Sequence, residues 1–325
     1  MRAVICREFG PPEKLLIEEL PEPVPGPGEL LVDVKAAAVS FPDALMVQNQ
    51  YQYKPSLPFV VGGEVAGVVA AVGEGVEGFA VGDPVCGGGP TGGFAERATL
   101  NEKFARSLPA GLEFAQAPGL LYAYGTGLYG LRERGNLQRG ETVLILGAAG
   151  NLGVAAIEVA KHLGARVIAA ASTPEKLDLC RASGADLVID YEAEDLKERA
   201  KALTDGRGVD VVYDAVGGDH AEAALRATAW EGRFLVIGFT AGISRIPLNL
   251  PLLKGCQIVG VFLGAMQGRD PGFSVRMTAE IDALCAAGAL RPGVGRSYGL
   301  EQAPQALRDL LDRRALGRLV VTPGD

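Results

Sequence analysis

The stretch that most restricts the fold runs from Glu141 to Lys176, ETVLILGAAGNLGVAAIEVAKHLGARVIAAASTPEK. An apolar run, TVLILG, enters a glycine-rich turn, a long helix with an apolar face follows, and a second apolar run, RVIAAAS, comes next. The rhythm continues through PEKLDLCRASGA, DLVIDY, DLKERAKALTDGRG, VDVVYDAVG, HAEAALRATAW and GRFLVIGF. Strands that are apolar almost throughout, alternating with helices, suit a parallel sheet, because crossover helices cover both of its faces. The expected fold class is therefore α/β, with a doubly wound sheet spanning residues 122–264.

Residues 1–121 have a different texture. Short β-rich runs, LLVDVKAAAV, GVVAAVGEGV and DPVCGGG, are divided by Gly and Pro clusters such as PEPVPGPGE, which reads as a small irregular β domain. After QIVGVFLG the alternation stops. A helical stretch, SVRMTAEIDALCAAGAL, precedes a helix and a closing strand, and residues 265–325 are expected to return to the first domain. The segment GRSYG has the G-x-S-x-G spacing of a hydrolase elbow, but no histidine follows Ser297 to act as its base, so it reads as a loop.

The glycine turn carries chemistry. Gly150 lets the chain approach a pyrophosphate closely, Gly153 lets helix and strand pack, and the free N–H groups at the helix start face the phosphates. Ala148 stands where the first glycine of G-x-G-x-x-G usually falls. The acidic residue that accepts both ribose hydroxyls of NAD, about 20 residues past the glycines, is absent. Ala171, Ser172 and Thr173 close the second strand instead, and Lys176 follows. Hydroxyls and an ammonium attract a 2′-phosphate that a carboxylate would repel, so the cofactor expected is NADPH.

Composition excludes other classes. The 31 basic and 39 acidic residues leave a net charge of −8, and no Lys/Arg run is present to track a nucleic acid backbone. MRAVICREFG matches neither a secretory signal nor a membrane span, and the five cysteines form no C-x-x-C pair. A cytoplasmic protein with reduced thiols is expected.

Together, VSFPDALMVQNQYQ, PFVVGGEVAGVVAAVGEGVEGFAVGDPV, YGTGLYGL, GAAGNLG and GRFLVIGF stand in the order and spacing of a known family. The chain resembles the medium-chain dehydrogenase/reductase superfamily, and within it the zinc-free, zeta-crystallin-like NADPH:quinone reductases. The resemblance implies a Rossmann domain (122–264) inserted between a GroES-like β-barrel catalytic domain (1–121) and its C-terminal return (265–325). Zinc-dependent relatives hold the metal with Cys, His and Cys. Ser40, Gly63 and Tyr122 stand at those places here, so no metal is expected.

By the same resemblance, Thr126 and the backbone of Ala149, Gly150, Asn151, Leu152 and Gly153 hold the pyrophosphate and ribose. Tyr191 lies beside the 2′-phosphate with Ser172, Thr173 and Lys176, and Phe239, Phe262 and Leu263 flank the nicotinamide. Arg313 or Arg314 closes over the phosphate. Tyr51 faces the acceptor, either donating to its oxygen or packing at the rim. Ser40 replaces the usual Asn as a hydrogen-bond donor, and Asp43 is read as a structural hydrogen-bond acceptor. The implied reaction is hydride transfer to a quinone or quinone-like carbonyl compound. Two alternatives stay open: an enoyl reductase for α,β-unsaturated ketones or thioesters, and a non-catalytic NADPH-binding, redox-sensing protein. The run IPLNLPLLKGCQIVGVFLG is long for one strand, and in the family this region joins two Rossmann sheets edge to edge, implying a homodimer.

Overall fold

The structure is a computed structural model that describes residues 1–324. The chain forms two compact units, one of residues 1–119 with 292–325 and one of residues 120–291.

The first unit begins with β1 (Arg2–Cys6), β2 (Leu16–Glu19), β3 (Glu29–Val39), α1 (Phe41–Val47), β4 (Phe59–Val60), β5 (Glu64–Val72), β6 (Pro84–Gly88), β7 (Arg97–Asn101) and β8 (Ala105–Ser107). β3 organises the sheet. One edge pairs antiparallel with β5 along most of its length, and Glu29–Asp33 on the other edge pair with β7. The apolar side chains Leu30, Val32, Val34 and Val39 face a core shared with Val65, Val69, Val85 and Phe94. α1 starts where Ser40 caps it, accepting from the Asp43 N–H, while the Asp43 carboxylate accepts from the Ser40 N–H. This reciprocal box satisfies two donors that a bare helix end would leave orphaned.

The second unit opens with α2 (Thr126–Leu128), flanked by wider helical turns at Leu121–Gly125 and Tyr129–Arg134. Next come β9 (Thr142–Leu146), α3 (Asn151–His162), β10 (Arg166–Ala171), α4 (Pro174–Ala182), β11 (Leu187–Asp190), α5 (Leu196–Ala202), β12 (Val209–Asp214), α6 (His220–Ala227), β13 (Thr228–Val236), α7 (Asn249–Lys254), β14 (Gln257–Gly260), α8 (Leu263–Arg269) and α9 (Pro271–Ala286). The strands pair in the order β11-β10-β9-β12-β13-β14, all parallel. The order reverses between β9 and β12, and the crevice outside the carboxyl ends of the strands at such a switch point is where ligands bind in open α/β sheets.

Three local readings change. HAEAALRATAW is not one helix, because Thr228 is already extended and starts β13. The run IPLNLPLLKGCQIVGVFLG is not one strand but α7 and β14, separated where Gly255 takes a left-handed conformation (φ 58°) that ends the helix. Helices α8 and α9 belong to the second unit, so the boundary lies at Arg291 rather than at Gly264.

From Pro292 the chain adds β15 (Arg296–Gly299), α10 (Ala303–Leu311) and β16 (Leu319–Thr322) to the first unit. GRSYG is thus a strand rather than a loop, paired parallel to β16, with Ser297 exposed on it. β16 takes the part of the β3 edge that β7 leaves open, at Ala37–Val39. The larger sheet runs β15-β16-β3-β5-β6-β8, with β7 on β3, and a smaller sheet runs β2-β1-β4. No ring of pairings closes among the described residues. Among them, too, no helix is long and apolar enough to cross a membrane.

Candidate functional site

The turn after β9 explains how Ala148 is accommodated. The left-handed angle falls one residue earlier, on Gly147 (φ 64°), while Ala148 keeps an ordinary conformation and donates to Ala170 O at 3.2 Å. Gly150 is the extended N-cap of α3. Gly153 sits so close to the turn that a Cβ there would lie 2.3 Å from Gly147 O and 2.5 Å from Ala148 Cα. The first turn of α3 is therefore drawn down onto the strand end. Ala149 is buried, and Asn151 and Leu152 are partly exposed at the helix start.

At the end of β10, Thr173 caps α4 by accepting from the Lys176 N–H at 3.3 Å, and Lys176 Nζ donates to Ser172 Oγ at 3.1 Å. The two hydroxyls and the ammonium thus gather at the start of a helix, whose dipole favours negative charge. Tyr191 stands in line with them, because its N–H donates to Ala171 O at 3.2 Å as β11 ends beside β10. Its ring meets that of His220, with centroids 4.5 Å apart and planes at 46°. Nearby, burial pushes the Asp214 carboxyl up, against the N–H groups of Gly217 and Val216 that hold it charged.

Thr126 is buried and donates to Tyr122 O at 2.5 Å within its helix. Leu263, also buried, approaches Gly125, where a Cβ would be 3.4 Å from its Cδ2. Phe239 and Phe262 are exposed. Phe239 lies against Gly217, the turn after β12.

In the first unit, Ser40, Asp43 and Tyr51 fall within or beside α1 and are drawn together there. Ser40 Oγ donates to Asp43 Oδ2 at 2.5 Å. Asp43 is almost fully buried, which pushes its carboxyl up to about 7, and the neighbouring Glu64 adds to the shift while the two Ser40 donors oppose it. Glu64 is itself pushed up by burial, countered by the Gly119 N–H at 2.7 Å and by Arg106 and Arg318. The Tyr51 phenol is held above its ordinary value, first by burial and then by the Asp43 charge. Arg314 is committed to Asp309 at 2.9 Å and to Asp312 at 3.0 Å, which weakens its candidacy for a phosphate.

Two parts of this constellation escaped sequence reasoning. His220 looked like one histidine among helix residues, and only its place after β12, at the carboxyl end of the sheet, could have signalled a role. Glu64 carried no local sign of its coupling to Asp43, because the two lie on different elements.

The family model for the alcohol dehydrogenase GroES-like domain matches residues 26–110, and that for zinc-binding dehydrogenases matches residues 152–277. A Nematostella vectensis protein described as a quinone oxidoreductase-like protein 2 homologue is 39% identical over 331 residues, covering 98% of this chain and 88% of its own. The structure of Escherichia coli quinone oxidoreductase, solved with NADPH, is 30% identical with a TM-score of 0.89, covering 99% of this chain and 100% of that one. A structure of the CurK enoyl reductase is 25% identical with a TM-score of 0.86, covering 99% of this chain and 98% of that one.

The zinc in the name of the second model does not fit the residues present. Ser40 and Gly63 offer a hydroxyl and no side chain where thiolate and imidazole are needed. A Cβ at Gly63 would fall 2.9 Å from Gly89 O, so the backbone has closed over the room an imidazole would use. Added chelator is expected to leave activity unchanged, and a loss that zinc restores would overturn that reading. On the matched models, the identity along the whole chain and the shared fold, the protein belongs to the medium-chain dehydrogenase/reductase superfamily, as an oxidoreductase of its quinone oxidoreductase branch.

Proposed function

We propose that the protein is a zinc-independent, NADPH-dependent reductase of quinones or quinone-like carbonyl compounds. The observation that carries the cofactor choice is the Ser172–Lys176 pair at the end of β10, in a strand end that lacks the acid of NAD-binding sites. The NADPH-bound Escherichia coli relative supports it. When bound, NADPH supplies a hydride from C4 of its nicotinamide. The chain does the rest: the α3 N–H groups and Thr126 hold the pyrophosphate and ribose, and Ser172, Thr173, Lys176 and Tyr191 select the 2′-phosphate. Exposed Phe239 and Phe262, with Leu263, offer apolar cover for the nicotinamide.

Acceptor handling falls to the α1 region, where Tyr51 orients the acceptor oxygen with its phenol. Tyr51→Phe is expected to lower kcat/KM for the acceptor roughly tenfold, the worth of one hydrogen bond to developing charge. Cofactor affinity should not change. An unaltered rate would leave Tyr51 a packing residue.

The deciding assay follows NADPH oxidation by absorbance with 1,4-benzoquinone, with an α,β-unsaturated ketone and with an NADH control. Fast loss with benzoquinone is the expected result. Loss with the ketone alone would favour the enoyl reductase reading, which the likeness to the CurK enoyl reductase supports. Tight NADPH binding with no turnover of either acceptor would leave the non-catalytic reading.

We also propose a homodimer through β14. This strand pairs only with β13 among the described residues; Ile258 on it, Leu252 and Leu253 on the preceding α7 and Trp230 on β13 are exposed. An unpaired edge beside apolar side chains suits a second copy. Sedimentation is expected to give a dimer, with Ile258→Lys shifting it to monomer; a monomeric wild type would refute the arrangement.

A further inference from the structure

The reduction proposed above needs a proton as well as a hydride, and the reading that follows rests on that proposal. We propose that Asp43 is a proton-holding positioning residue that acts through Ser40 to deliver that proton to the acceptor oxygen.

The geometry begins with how Asp43 is bonded. Its Oδ2 accepts from both the Ser40 N–H at 2.8 Å and Ser40 Oγ at 2.5 Å. Its Oδ1 makes no hydrogen bond among the described residues, and it points toward Gly63, where a Cβ would stand 3.9 Å away. A helix cap alone needs neither deep burial nor a bare oxygen. Asp43 is 1% exposed, whereas carboxylates that serve only as caps ordinarily sit in water, where the charged form is cheap. Ser40, by contrast, is only half-buried.

Every charged neighbour fits a carboxyl that holds its proton near neutrality. Glu64, across from α1 on β5, opposes ionisation of Asp43, while Arg106 and Arg318 act on Glu64. Tyr51 is the remaining titratable group coupled to Asp43. On α10, which packs against α1, Arg308 is engaged by Glu13 and Asp309 by Tyr298, Gln305 and Arg314. No cation is therefore aimed at Asp43 from that side among the described residues. A buried acid with a carboxylate neighbour titrates upward for the same reason that paired carboxylates share one proton.

The step balances simply. Hydride from NADPH brings two electrons, and the reduced acceptor's oxygen takes a proton as the Ser40 O–H bond breaks. In the protonated acid the Ser40–Asp43 contact is reversed, Asp43 Oδ2–H donating to Ser40 Oγ, and that O–H bond breaks as the Ser40 O–H bond re-forms. Asp43 is left as a carboxylate accepting from Ser40, and water returns the proton to Oδ2 through Ser40 once the product has left. Tyr51 holds the oxygen in place without giving up its own proton, which its raised pKa disfavours.

The test has two arms. In the first, carboxyl-labelled aspartate is titrated by NMR in the whole protein, comparing wild type with Asp43→Asn to assign the signal. Titration near 7 is expected, moving higher in Ser40→Ala because the hydroxyl donor that opposes the burial effect is lost; titration of the wild-type signal in the ordinary carboxylate range overturns the proposal whatever the activity. In the second, NADPH oxidation with 1,4-benzoquinone is followed against pH. Asp43 is protonated below its pKa, so wild-type kcat should decline as pH rises through about 7. Asp43→Asn should lower kcat at least tenfold and erase that decline while leaving the NADPH Kd unchanged. Ser40→Thr, which keeps a hydroxyl and a cap, should retain the decline, and Ser40→Ala should lose it. A decline that survives Asp43→Asn, in a variant with wild-type circular dichroism, overturns the relay. Wild type that titrates near 7 but reduces no acceptor overturns the reductase reading, and the relay with it.

Discussion

Replacing Gly153 by alanine is expected to destabilise the second unit by about 3 kcal/mol, lowering its melting temperature by roughly 6–12 °C. The added methyl would lie 2.3 Å from Gly147 O and 2.5 Å from Ala148 Cα. Both are backbone atoms, and the turn is fixed by the Ala148 N–H bond to Ala170 O and by the Gly150 N–H bond to Gly147 O at 3.0 Å. Relief therefore requires α3 to lift from β9, which uncovers apolar contacts and misaligns the N–H groups meant for the pyrophosphate. Gly150→Ala is the control. Its Cβ would be 3.4 Å from Gly147 O, with φ −81°, so the fold should survive while the methyl obstructs the phosphates. Calorimetry of the full-length variants checks both, and a Gly153→Ala melt matching wild type would mean that the close approach is not obligatory.

Lys176→Ala is expected to raise the Kd for NADPH roughly tenfold to hundredfold, the worth of one charge-assisted hydrogen bond, and to change that for NADH less than threefold or so. The asymmetry follows from the chemistry at the end of β10. Lys176 Nζ already reaches Ser172 Oγ at 3.1 Å, and a 2′-phosphate at this point would be shared between the ammonium, the hydroxyls and the α4 N-terminus. NADH offers only a hydroxyl there and gains little from the charge. Ser172→Asp should move preference the other way, because a carboxylate accepts from ribose hydroxyls and repels phosphate. Titration of both nucleotides by intrinsic fluorescence measures the ratio. Equal losses on Lys176→Ala would remove the lysine from phosphate recognition.

Much of the second unit was legible along the chain. TVLILG, RVIAAAS and VDVVYDAVG are apolar almost throughout because the strands are buried on both faces, and the glycine turn and the missing acid at Ser172 are local features. The misreadings were local too. Gly255 divided an apolar run that hydrophobicity alone could not divide, and Thr228 started a strand where alanine-rich sequence suggested helix. The extent of the second unit was hidden for another reason: whether α8 and α9 stay with the Rossmann sheet depends on what they pack against, not on their own pattern.

The glycine turn after β9 and the Ser172–Lys176 cluster are written in residue identity at fixed spacing, since each depends on atoms a few residues apart. Other features are written nowhere in one segment. β7 and β16, far apart in sequence, divide one edge of β3 between them, and the C-terminal residues enter the first core by that route. His220 meets the ring of Tyr191 because β11 and β12 end at the same rim of the sheet. Asp43 and Glu64 become coupled acids because β5 is buried beside α1. A pKa depends on how much water and which charges surround a group, and those surroundings come into being only when distant segments pack.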